Sequence, residues 1–469
     1  MNSVLTVFSL ILCAFVVLAV PTLVTPYAPV YGVVSAFDTS KAFILCAFLA
    51  TAVGFIALRQ GANGPFLARL FVAALLVRVL LGTLIFVFNG QEFFGGDAIT
   101  YDYYGLIQLK AWLGDRYFQN VIKGYVGGQE AAGWGMIYLV GGLYGLLGRN
   151  LLAVQFINAV MGATTSVVVF LIAFQIFNNI KVARVAAIAV AFYPSLVLWS
   201  SQGLKDGPIV FFLALSFLAT LKLSEKFKFR YMAILVCSLF SLLSLRFYVF
   251  YMVTAAVAGA FVFGMQKVTA TSFMRQFAIF ITLGLALTYL GVTRYASVHL
   301  GNFASLERMQ RSRNDAATSA KSGFGREVDV STTEGALNTI PVGLLYLLFA
   351  PFPWQLASLR QSITLPEMLI WWASFPLLIL GLWFSVKYRL RQISPILTFT
   401  VMLSIAYSLF QGNVGTAYRQ RSQLLVFYFI FVAVGYVLLL EKREERKRRD
   451  LAEQAPTRAR IATSPSPQR

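Results

Sequence analysis

Long apolar runs constrain this chain more than any other feature. About a dozen of them are long enough to cross a bilayer, at 3–20, 41–58, 70–89, 150–176, 185–201, 207–222, 231–245, 248–265, 276–293, 367–386, 393–410 and 424–440. In lipid, every backbone N–H and C=O must find its partner within the segment, so runs of this kind are helices. A membrane β-barrel would show short alternating strands, and none is visible. Composition agrees: 58% of the 469 residues are hydrophobic and 12% charged, too little charge to cover a soluble surface of this size. The expected fold class is all-α, a polytopic transmembrane helical bundle with outward-facing juxtamembrane helices.

The formal net charge is +20. Lys and Arg gather at the ends of the apolar runs, which points to membrane orientation and anionic headgroups and away from nucleic acid. The connections Leu221–Arg230, Gly264–Arg275 and Lys387–Arg391 are short and basic. The tail from Glu441 carries Lys442, Arg443, Arg446, Lys447, Arg448 and Arg449. The positive-inside rule puts all four in the cytoplasm. The first run lacks a basic n-region and a small-residue cleavage site, so it is expected to be a retained span. Cys13, Cys46 and Cys237 lie in apolar runs, with no disulfide framework or metal spacing.

Two further apolar stretches, 133–148 and 341–354, are too short to cross, and the second is broken by Pro351 and Pro353. If either crossed alone, the basic loops after it would fall outside. Both are therefore expected to lie half-embedded on the outer side. Both termini are then cytoplasmic, and the large loops near 89–132, 294–340 and 411–423 face outward. Residues 1–440 form one membrane domain, and 441–469 a basic tail ending in a Pro/Ser/Ala-rich, disordered stretch.

Polar chemistry collects on that outer side. Gly95-Gly96-Asp97 opens the first large loop, and Asp102 follows five residues later. A helix is expected over about 98–113, with Ile99, Tyr103, Leu106, Leu109 and Leu113 on one face. A carboxylate at the mouth of an apolar groove serves as a general base or holds a divalent cation. Asp97 also fits a helix cap. Lys205-Asp206 sits between two spans, where ionisable groups are costly and tend to be functional or paired; a plain turn before Pro208 fits as well. Arg246, Arg419 and Arg421 break the positive-inside trend. Arginine forks suit phosphate oxygens, and snorkelling to lipid phosphates is the alternative. Arg78 lies inside the third span, with no partner evident.

The 294–340 loop carries Arg308, Arg311, Arg313, Asp315, Lys321, Arg326, Glu327, Asp329 and Glu334, and its small polar stretch suits a lid or a linker. His299 is the only histidine, which argues against a His-based metal site or a Ser-His relay. No Walker A, GxSxG or dinucleotide fingerprint carries weight.

The stretches GGDAITYD, YLVGGLYGLLGRN, LLAVQFINAVMGATTSVVVFLIAF and VARVAAIAVAFYPSLVLWSSQGLKDGPIVFFLAL run from about Phe94 to Leu221. Together they resemble the GT-C superfamily of polytopic glycosyltransferases, in the branch related to protein mannosyltransferases and aminoarabinose transferases. The ending GNVGTAYRQRSQLLVFYFIF is similar in kind to the last outer loop of such proteins. The resemblance implies a polyprenyl-phosphate-linked sugar donor, a glycan, lipid or protein acceptor, and a bacterial cytoplasmic membrane location. It implies that Asp97 is catalytic base or metal ligand (Mg or Mn), with Asp102 in reserve. It also implies that basic residues near the outer surface hold the donor phosphate, a need that Arg246, Arg419 and Arg421 match by location; Lys205 and Asp206 are expected in the same substrate site from their place between two spans. The chain departs from the pattern in two respects: its acidic loop follows the third span, and GGDA stands where adjacent acidic residues are common. Two other functions are compatible with a polytopic chain of this kind. One is a polysaccharide polymerase or ligase joining lipid-linked repeat units. The other is a lipid-linked sugar flippase, which would place charges deep in several spans.

Overall fold

The structure, a computed structural model, describes residues 36–88, 90, 93, 96–126, 133–263, 270–292, 305–318, 323–324, 329–356 and 359–462. The expected span at 3–20, Cys13, His299, Lys321, Arg326 and Glu327 lie outside them. The described residues form an all-α, multi-pass membrane bundle. Its helices are α1 (Ala36–Leu58), α2 (Gly64–Val87), α3 (Asp97–Trp112), α4 (Arg116–Val126), α5 (Trp134–Leu147), α6 (Leu151–Phe177), α7 (Ile180–Phe192), α8 (Pro194–Ser200) and α9 (Asp206–Glu225). They continue with α10 (Phe229–Leu245), α11 (Phe247–Phe263), α12 (Ala270–Tyr289), α13 (Leu306–Thr318), α14 (Thr333–Phe349), α15 (Leu359–Phe410), α16 (Val414–Gln420) and α17 (Ser422–Ala462).

A helix stands at each apolar run within the described residues, but length separates them. Six are long and apolar enough to cross a membrane, or seven if the bent pair α7–α8 is one span. That is fewer than the dozen expected. Helices α10 and α11 have 17 residues each, which at ~1.5 Å per residue gives ~25 Å, short of the ~30 Å hydrocarbon core. The runs at 367–386 and 393–410 are two arms of α15, which breaks helical geometry at Arg389 (φ −134°, ψ 19°), inside the basic turn expected there.

Helix α6 is the centre of the bundle, buried along most of its length. Asn150 caps its start by accepting from the Ala153 amide, and Asn179 caps α7 by accepting from Lys181 and Val182. Between α7 and α8 the chain bends by 55°. Tyr193 precedes Pro194 and is extended (φ −64°, ψ 125°), the conformation a residue before proline prefers. The break frees carbonyls at the end of α7, and Arg78 takes them. Its guanidinium donates to Ala191 O (2.7 Å), Val190 O (3.4 Å) and Ala74 O (3.0 Å), and to Ser200 Oγ (2.8 Å). The partner the sequence left open is thus a helix end, not an acid.

The bundle has two chemically distinct ends. At one, Lys181 pairs with Glu444 (3.2 Å), and Asn179 donates to Glu441. At the other lie the start of α3, the start of α9, the α10–α11 junction and α16. On α3 the apolar face read from the sequence is the less buried one. The buried residues of the helix include Ala98, Tyr101, Asp102, Gly105 and Gln108, whereas Tyr103 and Leu113 are exposed. The side with Gly105 and Gln108 meets α5 at Val140 and Gly141. The helix in 341–354 begins earlier than expected, at Thr333, where Thr332 caps it through Gly335 N.

Candidate functional site

Four chain segments meet at the second end and deliver ionisable groups there through local features of their sequence. Gly96 takes a left-handed conformation (φ 72°), so the chain turns sharply and Asp97 becomes the first residue of α3. Lys205 and Asp206 stand at the start of α9, with Pro208 in its first turn. Arg246 is the extended residue between α10 and α11 (φ −159°). Arg419 is carried by α16, whose start is capped by Asn413 accepting from Gly415 N at 2.8 Å.

Arg419 joins the two carboxylates. Its Nε donates to Asp206 Oδ2 at 2.7 Å, and its Nη2 lies 2.6 Å from the same oxygen. Its Nη1 donates to Asp97 Oδ2 at 2.5 Å. The acids differ in setting: the Asp206 side chain is 0% exposed, that of Asp97 47%. On the far side of Asp206, Arg246 Nη2 lies 3.8 Å from Oδ1, too long for a hydrogen bond. Asp206 Oδ1 and Arg246 Nη1 are buried without a hydrogen-bond partner, so the cluster keeps polar capacity for something else. The Trp199 ring flanks Arg419 at 5.9 Å, and Tyr248 flanks Arg246 at 5.7 Å.

Electrostatics follow from this crowding. Burial alone would lower the Arg419 guanidinium, but Asp206 and Asp97 outweigh it and hold its pKa above the ordinary value. Arg246 is likewise raised, by Tyr248, Tyr407 and Asp206 against the opposing effect of burial. Lys205 goes the other way: burial, with the charge of Arg246 added, pushes its ammonium down to about 8 despite Asp206. Three cationic groups thus surround two carboxylates, leaving one positive charge in excess when Lys205 is protonated. Such a cluster can hold a phosphate, and its more exposed carboxylate can meet a hydroxyl.

A resident divalent cation does not fit this donor set. Both carboxylates already share a guanidinium, and among the described residues no three His, Cys, Asp or Glu side chains group as metal ligands.

Two expected site residues lie elsewhere. Asp102 is buried against α5, accepting from Tyr144 Oη at 2.5 Å and from Arg149 Nε at 3.1 Å, with Arg149 Nη2 closing the pair. Five residues of helix rotate it ~140° away from Asp97. Arg421 is buried and points away from the acids. It donates to Leu347 O (2.6 Å), Ala350 O and Met368 Sδ (3.0 Å), capping the end of α14. Arg313 of the expected lid does the same for α15, donating to Leu409 O (3.1 Å) and Gln411 O (2.9 Å). Sequence reasoning missed Trp199 and the Glu367–Tyr418 pair. Trp199 lies in the stretch that carries Lys205 and Asp206, but nothing in the sequence marks it as a partner of Arg419.

Residues 134–291 match the family model described as dolichyl-phosphate-mannose-protein mannosyltransferase. This is the branch the sequence resembles, and the matched segment contains Lys205, Asp206 and Arg246 but neither Asp97 nor Arg419. No curated protein matches the chain. Two solved structures of an oligosaccharyltransferase from Archaeoglobus fulgidus are similar at low identity. One, of AglB in complex with an inhibitory peptide and a dolichol-phosphate, is 14% identical, with a TM-score of 0.39, over 68% of this chain and 44% of that one. The other, the apo form, is 15% identical, with a TM-score of 0.44, over 81% and 52%. The chain thus spans about half the length of these structures, and scores of this size do not establish a shared fold.

Proposed function

We propose that this multi-pass protein, with a segment of the dolichyl-phosphate-mannose-protein mannosyltransferase family, is a membrane glycosyltransferase. It moves a sugar from a polyprenyl-phosphate-linked donor to an acceptor hydroxyl on the outer face of the membrane, in cell-envelope or exopolysaccharide synthesis. The observation that carries this reading is the Asp97–Arg419–Asp206–Arg246 cluster: four distant segments supply a two-carboxylate, two-guanidinium array at one end of the bundle. The topology that goes with it keeps both termini cytoplasmic and about a dozen crossings. Its support is a helix at each expected run in the described residues and the basic tail at the opposite end.

In this mechanism Arg419, Arg246 and Lys205 hold the donor phosphate. The buried Asp206 fixes Arg419 and prevents the cations from repelling one another. Asp97 accepts the acceptor's hydroxyl proton as the acceptor oxygen bonds to the anomeric carbon. The bond from that carbon to the phosphate oxygen breaks, and the electron pair leaves with the polyprenyl phosphate, where the guanidiniums stabilise the new charge. Phosphate leaves readily, so no acid dyad of the glycosidase kind is needed. The protein reconstituted in liposomes and given polyprenyl-phosphate sugars tests this. Asp97→Asn is expected to lower transfer by about a hundredfold or more. Full transfer by a folded Asp97→Asn protein would remove Asp97 from the chemistry.

A further inference from the structure

We infer that the Arg419–Asp97 ion pair is a latch opened by the donor's phosphate, so that donor binding releases Asp97 to act on the acceptor. The inference rests on the reading of the site as a phosphate and hydroxyl site. It adds an order of events: the base is engaged before the donor arrives and becomes available because the donor has arrived.

Arg419 has two unequal anchors. Asp206 grips it through Nε and Nη2 and is entirely buried. That grip fixes the guanidinium with no help from Asp97. Asp97 touches only Nη1, at 2.5 Å, with its side chain about half in solvent. The weaker, wetter partner is the one that exchanges, since an exposed ion pair contributes little and water readily replaces it. While Asp97 Oδ2 is hydrogen-bonded to Arg419 Nη1, that oxygen is not turned to an incoming hydroxyl. The resting contact therefore holds back the group that must take the proton.

Phosphate and carboxylate then compete for one fork. Two anions on the Nη1 side of Arg419 repel each other, and the cluster has only one positive charge in excess. Asp206 cannot yield, because leaving it without Arg419 would strand a charge in the interior. Asp97 yields by turning into solvent, at the end where an acceptor hydroxyl enters. The latch also limits wasteful hydrolysis, since the base is free only while a donor occupies the site.

The inference makes a prediction that a simple catalytic role does not. Removing the charge of Asp97 should improve donor binding while abolishing transfer. The experiment measures the affinity of sugar-free polyprenyl monophosphate for the full chain in nanodiscs, comparing wild type, Asp97→Asn and Asp206→Asn. The expected result is about three- to tenfold tighter binding by Asp97→Asn and weaker binding by Asp206→Asn. Equal or weaker binding by Asp97→Asn overturns the latch and leaves the proposed function standing. Absence of binding by the wild type overturns both. A second measurement needs no variant. Saturating polyprenyl monophosphate should raise the rate at which Asp97 of the wild type is modified by a water-soluble carbodiimide, read by mass spectrometry. An unchanged or lower rate overturns the latch.

Discussion

Tyr418 donates a 2.7 Å hydrogen bond to the buried Glu367 of α15, one residue before the arginine that joins Asp97 to Asp206. The helix carrying Arg419 has only seven residues and could not hold a guanidinium in place alone. Tyr418 on one side and Arg421, bound to the α14 carbonyls, on the other fix it to the bundle. Tyr418→Phe removes that hydrogen bond and leaves a buried carboxyl short of a donor. The expected outcome is a loss of ~1–3 kcal/mol of stability together with reduced transfer. Thermal unfolding and initial rates on the same reconstituted sample check it.

Arg419→Lys and Arg421→Lys should separate. Lysine at 419 keeps the charge but cannot bridge two carboxylates with a planar fork, so donor affinity and transfer both fall while unfolding changes little. Lysine at 421 has its donors on one nitrogen and cannot reach three acceptors that three separate guanidinium nitrogens meet, so unfolding comes earlier by ~2 kcal/mol or more. The folded fraction of Arg421→Lys keeps the Arg419 fork and so loses less donor affinity than Arg419→Lys. Binding normalised to folded protein distinguishes them.

Lys205 gives the site a pH dependence. Burial pushes its ammonium down to about 8. Below that value the charged form adds an attraction for phosphate. As pH rises through it, the attraction disappears. Donor affinity should therefore weaken between about pH 7 and pH 9, and Lys205→Met should bind more weakly at pH 7 with a flatter profile. Titrating donor affinity against pH for both proteins tests this; identical slopes would remove Lys205 from the phosphate site.

Chelation should have no effect. The donor set around Asp97 is cationic, and the proposed chemistry routes leaving-group charge to guanidinium. Transfer measured with EDTA, then with added Mg or Mn, is expected to stay constant. A loss on chelation restored by one metal would put a ligand set outside the described residues.

Gly105 tests the setting of Asp97 from a distance. A Cβ there would fall 2.4 Å from Val140 Cγ1 and 2.7 Å from Val140 Cβ. Gly105→Ala should push α3 off α5, costing ~1–3 kcal/mol and lowering transfer though the residue touches no substrate. Crosslinking between the two helices reads the displacement.

The sequence made Asp97, Asp206, Arg246 and Arg419 legible for one reason: an ionisable side chain beside an apolar run is expensive unless it is paired. It could not say with what. Arg421 and Arg78 carry the same signal and meet helix-end carbonyls instead, because whether a guanidinium faces an acid or a carbonyl is set by where distant helices end. Asp102 was drawn to the site by proximity along the chain, and the helical turn took it to the opposite side. The apolar stripe of α3 was readable from periodicity, but its packing side was not, because the contact with α5 is made at Gly105, which has no side chain to mark it. Helix positions were readable throughout, since a bilayer leaves the backbone no other choice. The number of crossings was less so, because 17-residue helices sit at the limit of the hydrocarbon thickness.

The contact between Arg419 and Asp97 joins residues 322 positions apart. During synthesis, the whole stretch between the two residues must be made before that contact can form. A chain still on the ribosome that lacks α16 has already inserted α9, with Asp206 at its head and its principal counter-charge not yet translated. Until then the carboxylate must stay hydrated at the membrane surface or be protonated, so α9 can settle fully only when Arg419 arrives. Assembly of the site and final packing of the bundle are in that sense a single event, timed by the emergence of α16.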